Sequence, residues 1–210
     1  MLYKTTTKLF KGIYQYKIVL ICSGAQWFRR SVEDALQHLQ SIDLSDKNKG
    51  GFSWRTNSIK TQEQLDYSFK LQSALSKMTD LEIRVESPWV SIYTNNLADV
   101  NTLANLDQNN VKYISQPSPS SKLAEGVIIM PKMDYDFRVT LSKTNQEHHA
   151  FIEWAESNKK IKLTKSCIQA LQRSRSWGGT HFYVTGDNNL LMAKMHLAGS
   201  ISKVERIGKA

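Results

Sequence analysis

The apolar positions of this chain change period repeatedly, and the sequence of changes occurs twice. Tyr16 to Cys22 is a β-branched and aromatic run closed by Ser23 and Gly24, which predicts a strand meeting a turn. From Trp27 the residues Phe28, Val32, Ala35, Leu36 and Leu39 recur near helical spacing, with Arg29, Arg30, Glu33 and Asp34 between them. Thr61 opens a further helix, with Gln64 at the capping-box position and Leu65, Phe69, Leu71, Leu75 and Met78 as its stripe. Leu81 to Glu86, Val90 to Thr94 and Val111 to Ser115 read as strands, and Leu97, Val100, Leu103, Ala104 and Leu106 place a helix before the last of them.

The same order returns after Pro117 and Pro119. Val127 to Met130 and Tyr135 to Ser142 read as strands, followed by a helix at Glu147 to Ala155. Ile161 to Thr164 is a strand, Ser166 to Gln172 a short helix, His181 to Thr185 a strand, Asn188 to Leu197 a helix and Ile201 to Ile207 a closing strand. The expectation is an α+β protein of two tandem ferredoxin-like (βαββαβ) modules, with an extra helix in the first. The modules span residues 1–116 and 123–210, and the Pro-, Ser- and Lys-containing stretch 117–122 is the linker. Aligned without gaps from their ends, the copies match Val111 with Val204 and Leu97 with Leu190, and Trp177 takes the place of Trp89. Both tryptophans are therefore expected in the core. Met1 to Gly12 reads as an arm or an edge strand, and Asp43 to Ile59 as a loop carrying Phe52 and Trp54.

Composition changes this picture in one respect. With 210 residues, 40% of them apolar, the chain can bury a core, and 28 Lys plus Arg against 19 Asp plus Glu give a net charge of +9. Such a balance favours polyanions or acidic surfaces as partners. No apolar run is long enough to cross a bilayer and Met1 to Gly12 has no signal-like apolar region, so a cytoplasmic location is expected. Cys22 and Cys167 lie far apart without ligand spacing and read as free, partly buried thiols.

The charge is concentrated between Ser157 and Gly186. That window holds Lys159, Lys160, Lys162, Lys165, Arg173 and Arg175 without a carboxylate, then offers Trp177, His181, Phe182 and Tyr183. Mobile cations suit a phosphate track and flat rings suit unpaired bases, so the candidate nucleic-acid-binding residues are those six cations with His181 and Tyr183. The partner expected is a single strand or a phosphate backbone. An RNP-type octapeptide is absent, and Gly178 and Gly179 lack the Lys-Ser or Lys-Thr of a P-loop, so they read as a turn.

Other chemistry is weakly represented. His148 and His149 are adjacent rather than four apart, and Asp134 with Asp136 marks a strand entrance, so no metal site is assigned. Ser23 is not in a nucleophile elbow and no catalytic group or cofactor is assigned. Phe52 and Trp54 offer anchors for the alternative, a structural or host-protein-binding role without nucleic acid.

The run Arg175-Ser176-Trp177-Gly178-Gly179-Thr180-His181-Phe182-Tyr183-Val184, followed by Leu190-Leu191-Met192 and a closing strand, resembles the ending of small uncharacterised proteins of tailed bacteriophages. The resemblance covers about the last fifty residues. It implies a viral origin, with roles in genome handling, transcription takeover or virion assembly, in the host cytoplasm. Tandem ferredoxin-like modules also resemble CRISPR RNA-processing endoribonucleases. Those have a general base and a Gly-rich C-terminal loop, whereas this chain offers His148, His149, His181 and His196 and ends Ile207-Gly208-Lys209-Ala210.

Overall fold

Alternation of inward and outward residues along each strand sets two separate sheets, seen in a computed structural model that describes residues 2–44, 59–119, 123–173 and 175–209. The chain divides into two units, Met1–Pro119 and Ser120–Ala210, each containing one five-stranded sheet with helices.

The first unit runs β1 (Tyr3–Thr6), β2 (Tyr16–Ile21), α1 (Val32–Gln40), α2 (Gln62–Leu75), β3 (Leu81–Glu86), β4 (Trp89–Thr94), α3 (Leu97–Leu106) and β5 (Val111–Pro117). The helix expected from Trp27 to Leu39 is broken: Ala25–Arg29 forms a 3-10 turn, and Ser31, in extended conformation, accepts a hydrogen bond from the Asp34 N–H at 3.0 Å and starts α1 afresh. At α2, Thr61 accepts from the Gln64 N–H at 3.3 Å, and the Gln64 side chain reaches back to the Lys60 N–H at 2.8 Å. That is the expected reciprocal cap, displaced by one residue on its return arm.

The second unit runs β6 (Val127–Ile129), β7 (Phe137–Leu141), α4 (His149–Ser157), β8 (Ile161–Leu163), α5 (Lys165–Leu171), β9 (His181–Val184), α6 (Asp187–His196) and β10 (Ile201–Gly208). Its sheet order is β6-β10-β7-β9-β8, against β1-β5-β2-β4-β3 in the first. The two orders correspond strand for strand. In each, the first strand lies parallel to the last at one edge, and the other neighbouring strands are antiparallel. The units differ in their helices: α1 and α2 both lie between β2 and β3, whereas α5 lies between β8 and β9, where the first unit has only a tight turn at Ser87 and Pro88.

Cross-strand register corrects the alignment read from the sequence. Lys17 faces Tyr93 and Arg138 faces Tyr183, so Ile18 and Val139 are equivalent. Their partners on the closing strands are Ile114 and Val204. Val204 therefore matches Ile114, not Val111, because the closing strands end at different distances from the shared register. Four residues before Tyr93 stands Trp89, and four before Tyr183 stands Gly179, so Trp89 and Trp177 are not equivalent.

Each unit has its own core between sheet and helices. Ile18, Leu20, Val90, Ile92 and Ile114 meet Leu71, Leu75, Val100 and Leu103 in the first. Val139, Leu141, Phe182 and Val184 meet Phe151, Leu171, Ala193 and Leu197 in the second. Each core also encloses one cysteine. Burial pushes the Cys22 thiol up, against the opposing effect of its hydrogen bond with Ser68, and pushes Cys167 up to about 12. Both thiols should therefore be inert to a disulfide reagent at pH 8, and each should react once denaturant unfolds its own core. Rapid labelling of the native protein would contradict this packing.

Candidate nucleic-acid interface

Edge strand β8 and its flanks carry the first group of cations. Asn158 ends α4 and its side chain accepts from the Lys160 N–H at 3.0 Å, turning the chain into β8. Lys159 and Lys160 sit on that turn, Lys162 follows on the strand, and Lys165 begins α5 behind the Thr164 cap. Because Ile161 and Leu163 enter the core, the pleat sends Lys162 to the face opposite the helices, beside Tyr183. Arg173 and Arg175 form a second group on the connection after α5. All six are exposed, and none has an ion pair among the described residues.

Trp177 belongs to this second group and not to the core. It is 91% exposed, which overturns the structural role expected for it. The cause is backbone geometry. Ser176 exchanges hydrogen bonds with Thr144 at 3.0 and 3.1 Å, Gly179 donates to the Leu141 carbonyl at 2.9 Å, and Leu141 donates to the Thr180 carbonyl at 2.8 Å. The connection is thereby laid along the end of β7. Gly178 has φ of +78°, and a Cβ there would lie 2.6 Å from the Ser142 carbonyl carbon. The backbone at 178 fits flush against Ser142, and the preceding indole projects into solvent. The Lys143 ammonium stands 5.4 Å from the Trp177 ring centroid, so Lys143, which sequence reading missed, is the cation brought to the indole. Only the pairing of residues 141–144 with 176–180, invisible in sequence, brings it there.

His181 and Tyr183 do lie on the helix-free face, but as members of a polar cluster. Tyr183 is 7% exposed, with Tyr135 against its ring and Ile128 and Ile207 beside it. It therefore presents no free face on which a base could stack, which corrects the stacking role read from the sequence. Its hydroxyl lies 3.1 Å from His181 Nε2, and His181 Nδ1 lies 3.4 Å from Arg138 Nη2. Arg138 faces Glu205, which is 3% exposed and pairs with Lys203 at 2.9 Å. The sequence window lacks carboxylates, but the folded face thus receives one from β10.

The remaining histidines are dispersed. His148 is buried, with Nε2 3.3 Å from Thr144 Oγ1 and 3.2 Å from Ser200 Oγ. His149 pairs with Glu147, and His196 stacks on Trp154. Burial holds His148 below the usual histidine range; burial and then the Arg138 charge do the same for His181, against an opposing pull from Glu205. The unfolded chain then binds protons that the folded state refuses. Stability from these groups is complete above about pH 6.5 and is lost as pH falls below it. Melting temperatures should drop as the pH falls below about 6.5, and His148→Gln should flatten that slope. An unchanged slope in the variant would contradict the assignment.

Asp136 accepts from the Gly186 N–H at 2.8 Å and Asp134 lies 3.6 Å from Lys209. Among the described residues no group of three or more His, Cys, Asp or Glu side chains could hold a metal ion, and no helix is long and apolar enough to cross a membrane. Phe52 and Trp54 lie outside the described residues.

The helix-free face of the first unit's sheet was not singled out by sequence. Lys4, Lys17, Tyr93, Tyr113 and Trp89 come to it from strands far apart in the chain. Lysine ammoniums stand over its rings: Lys4 at 4.1 Å and Lys17 at 5.5 Å from Tyr113, Lys11 at 5.1 Å and Lys17 at 5.4 Å from Tyr93, and Lys112 at 3.3 Å from Trp89. Phe10 and Tyr14, from the β1–β2 connection, pack on Tyr93 and leave it 5% exposed, whereas Trp89 is 38% exposed. Comparison of the chain with protein-family models, with curated proteins and with solved structures gave no match.

Proposed function

We propose that this is a non-enzymatic, phage-encoded nucleic-acid-binding protein whose C-terminal unit holds a phosphate backbone with Lys159, Lys160, Lys162, Lys165, Arg173 and Arg175. The observation that carries the reading is Trp177, a tryptophan held almost wholly in solvent by a hydrogen-bonded connection, with the Lys143 ammonium at its ring and Arg175 two residues before it in the chain. An exposed indole among unpaired cations suits stacking on an unpaired base while the cations take the adjacent phosphates. Each unit is read as a ferredoxin-like module with an added edge strand. Support comes from the order β5-β2-β4-β3 and its counterpart β10-β7-β9-β8, all antiparallel. The bacteriophage resemblance of Arg175 to Val184 agrees with a role in genome handling.

Trp177→Ala tests the reading. The melting temperature should stay within about 1 °C of wild type, since little surface is buried there, while affinity for a single-stranded oligonucleotide at low salt falls about 5- to 100-fold. Wild-type protein that binds no oligonucleotide at low salt, or a variant that binds as tightly as wild type, would refute it.

A further inference from the structure

The lysine-capped aromatic face of the first unit combines features that a helix-covered or simply solvated sheet face does not need. Solvated lysines extend into water, whereas Lys4, Lys17 and Lys112 lie over aromatic rings. Trp89 and Ile21, directly opposite each other on neighbouring strands, both remain exposed. The acidic side chains collect at the far edge: Glu82 is paired with Lys11, and Glu86 with Arg84, on β3. The β1-β5-β2 side of the face, with Lys4, Lys17 and Lys112, has no carboxylate partner among the described residues.

We infer that this face is a second nucleic-acid site, specific for single strands, in which bases stack on Trp89 and Tyr113 while Lys4, Lys17 and Lys112 move from the rings to the phosphates. Two physical arguments select this occupant. A flexible lysine over a ring is a replaceable lid, since a base can take the ring face and the displaced ammonium gains a phosphate. Duplex bases keep their faces covered, so a stacking surface on a sheet discriminates against duplex, whereas cations alone do not. The class of partner rests on the reading of the C-terminal unit, but the residues are separate and fail separately.

Fluorescence anisotropy with labelled oligo(dT) of about 20 nucleotides and a duplex of equal length tests this on the full chain. Trp89→Ala/Tyr113→Ala should weaken oligo(dT) binding about 10- to 100-fold and duplex binding less than about threefold. Tyr113 is half-buried, so Lys4→Glu/Lys112→Glu, at two exposed positions, provides a variant that leaves the packing alone. It should weaken oligo(dT) at least about tenfold. If both variants stay within about twofold of wild type while Trp177→Ala is impaired, this site falls and the C-terminal reading stands. If only the first-unit variants are impaired, the reverse holds. A wild type that binds neither probe removes both. A dimer seen by light scattering that Trp89→Ala dissociates would show the face occupied by a second copy and overturn the assignment.

Discussion

Replacing Lys159, Lys160, Lys162, Lys165, Arg173 and Arg175 by glutamine is expected to flatten the salt dependence of binding rather than merely weaken it. Each phosphate neutralised on a single strand contributes about 0.7 to the slope of log K against log salt, so losing all six cations should reduce that slope by about four. At low salt the same loss corresponds to roughly three or more orders of magnitude in affinity. All six side chains are exposed and make no ion pair among the described residues, so folding should be unaffected and the melting temperature retained. Titrations across a range of potassium chloride concentrations provide the measurement. A variant with the wild-type slope would show that these cations are a solvated surface and that the polyanion site lies elsewhere.

That the six cations are exposed, and unpaired among the described residues, follows from their local setting, Lys159, Lys160, Lys162 and Lys165 on β8 and its flanks and Arg173 and Arg175 on the connection after α5, which short-range sequence reports. Trp177 was misread for the opposite reason. Its place ahead of a strand resembled that of Trp89, but the comparison required a register, and the register is set by Arg138 against Tyr183 across β7 and β9. The added α5 shifts what precedes β9, so equal order of elements did not mean equal positions. Tyr183 shows the complementary error. Strand alternation correctly puts it opposite Phe182, but the stretch from Met130 to Tyr135 folds over that face and covers its ring. The rings and lysines of the first sheet were illegible for a third reason, since Lys4, Lys17, Tyr93 and Tyr113 meet only through pairings between distant segments. Strand and helix existence followed from local period almost throughout, because local period reports burial. Surface chemistry follows from tertiary pairing, which local period does not report.

The two cores make a further consequence measurable. Phe151 is 1% exposed and packs at 5.3 Å from Phe182 and 5.8 Å from Trp154. Phe151→Ala removes an aromatic ring from the centre of the second core, a loss of about 3–5 kcal/mol in comparable sites. That is a large part of the stability of a domain of this size, so the second unit should melt far earlier. The first core contains none of these residues, its members coming from β2, β4, β5, α1, α2 and α3 with their flanking segments. Calorimetry of Phe151→Ala should therefore resolve two transitions, the lower one shifted and the upper one near that of wild type. Trp177→Ala, in the same unit and removing a larger side chain, should shift neither. A single transition displaced as a whole by Phe151→Ala would mean that the units unfold as one cooperative body. A shift from Trp177→Ala of comparable size would restore the tryptophan to a structural role.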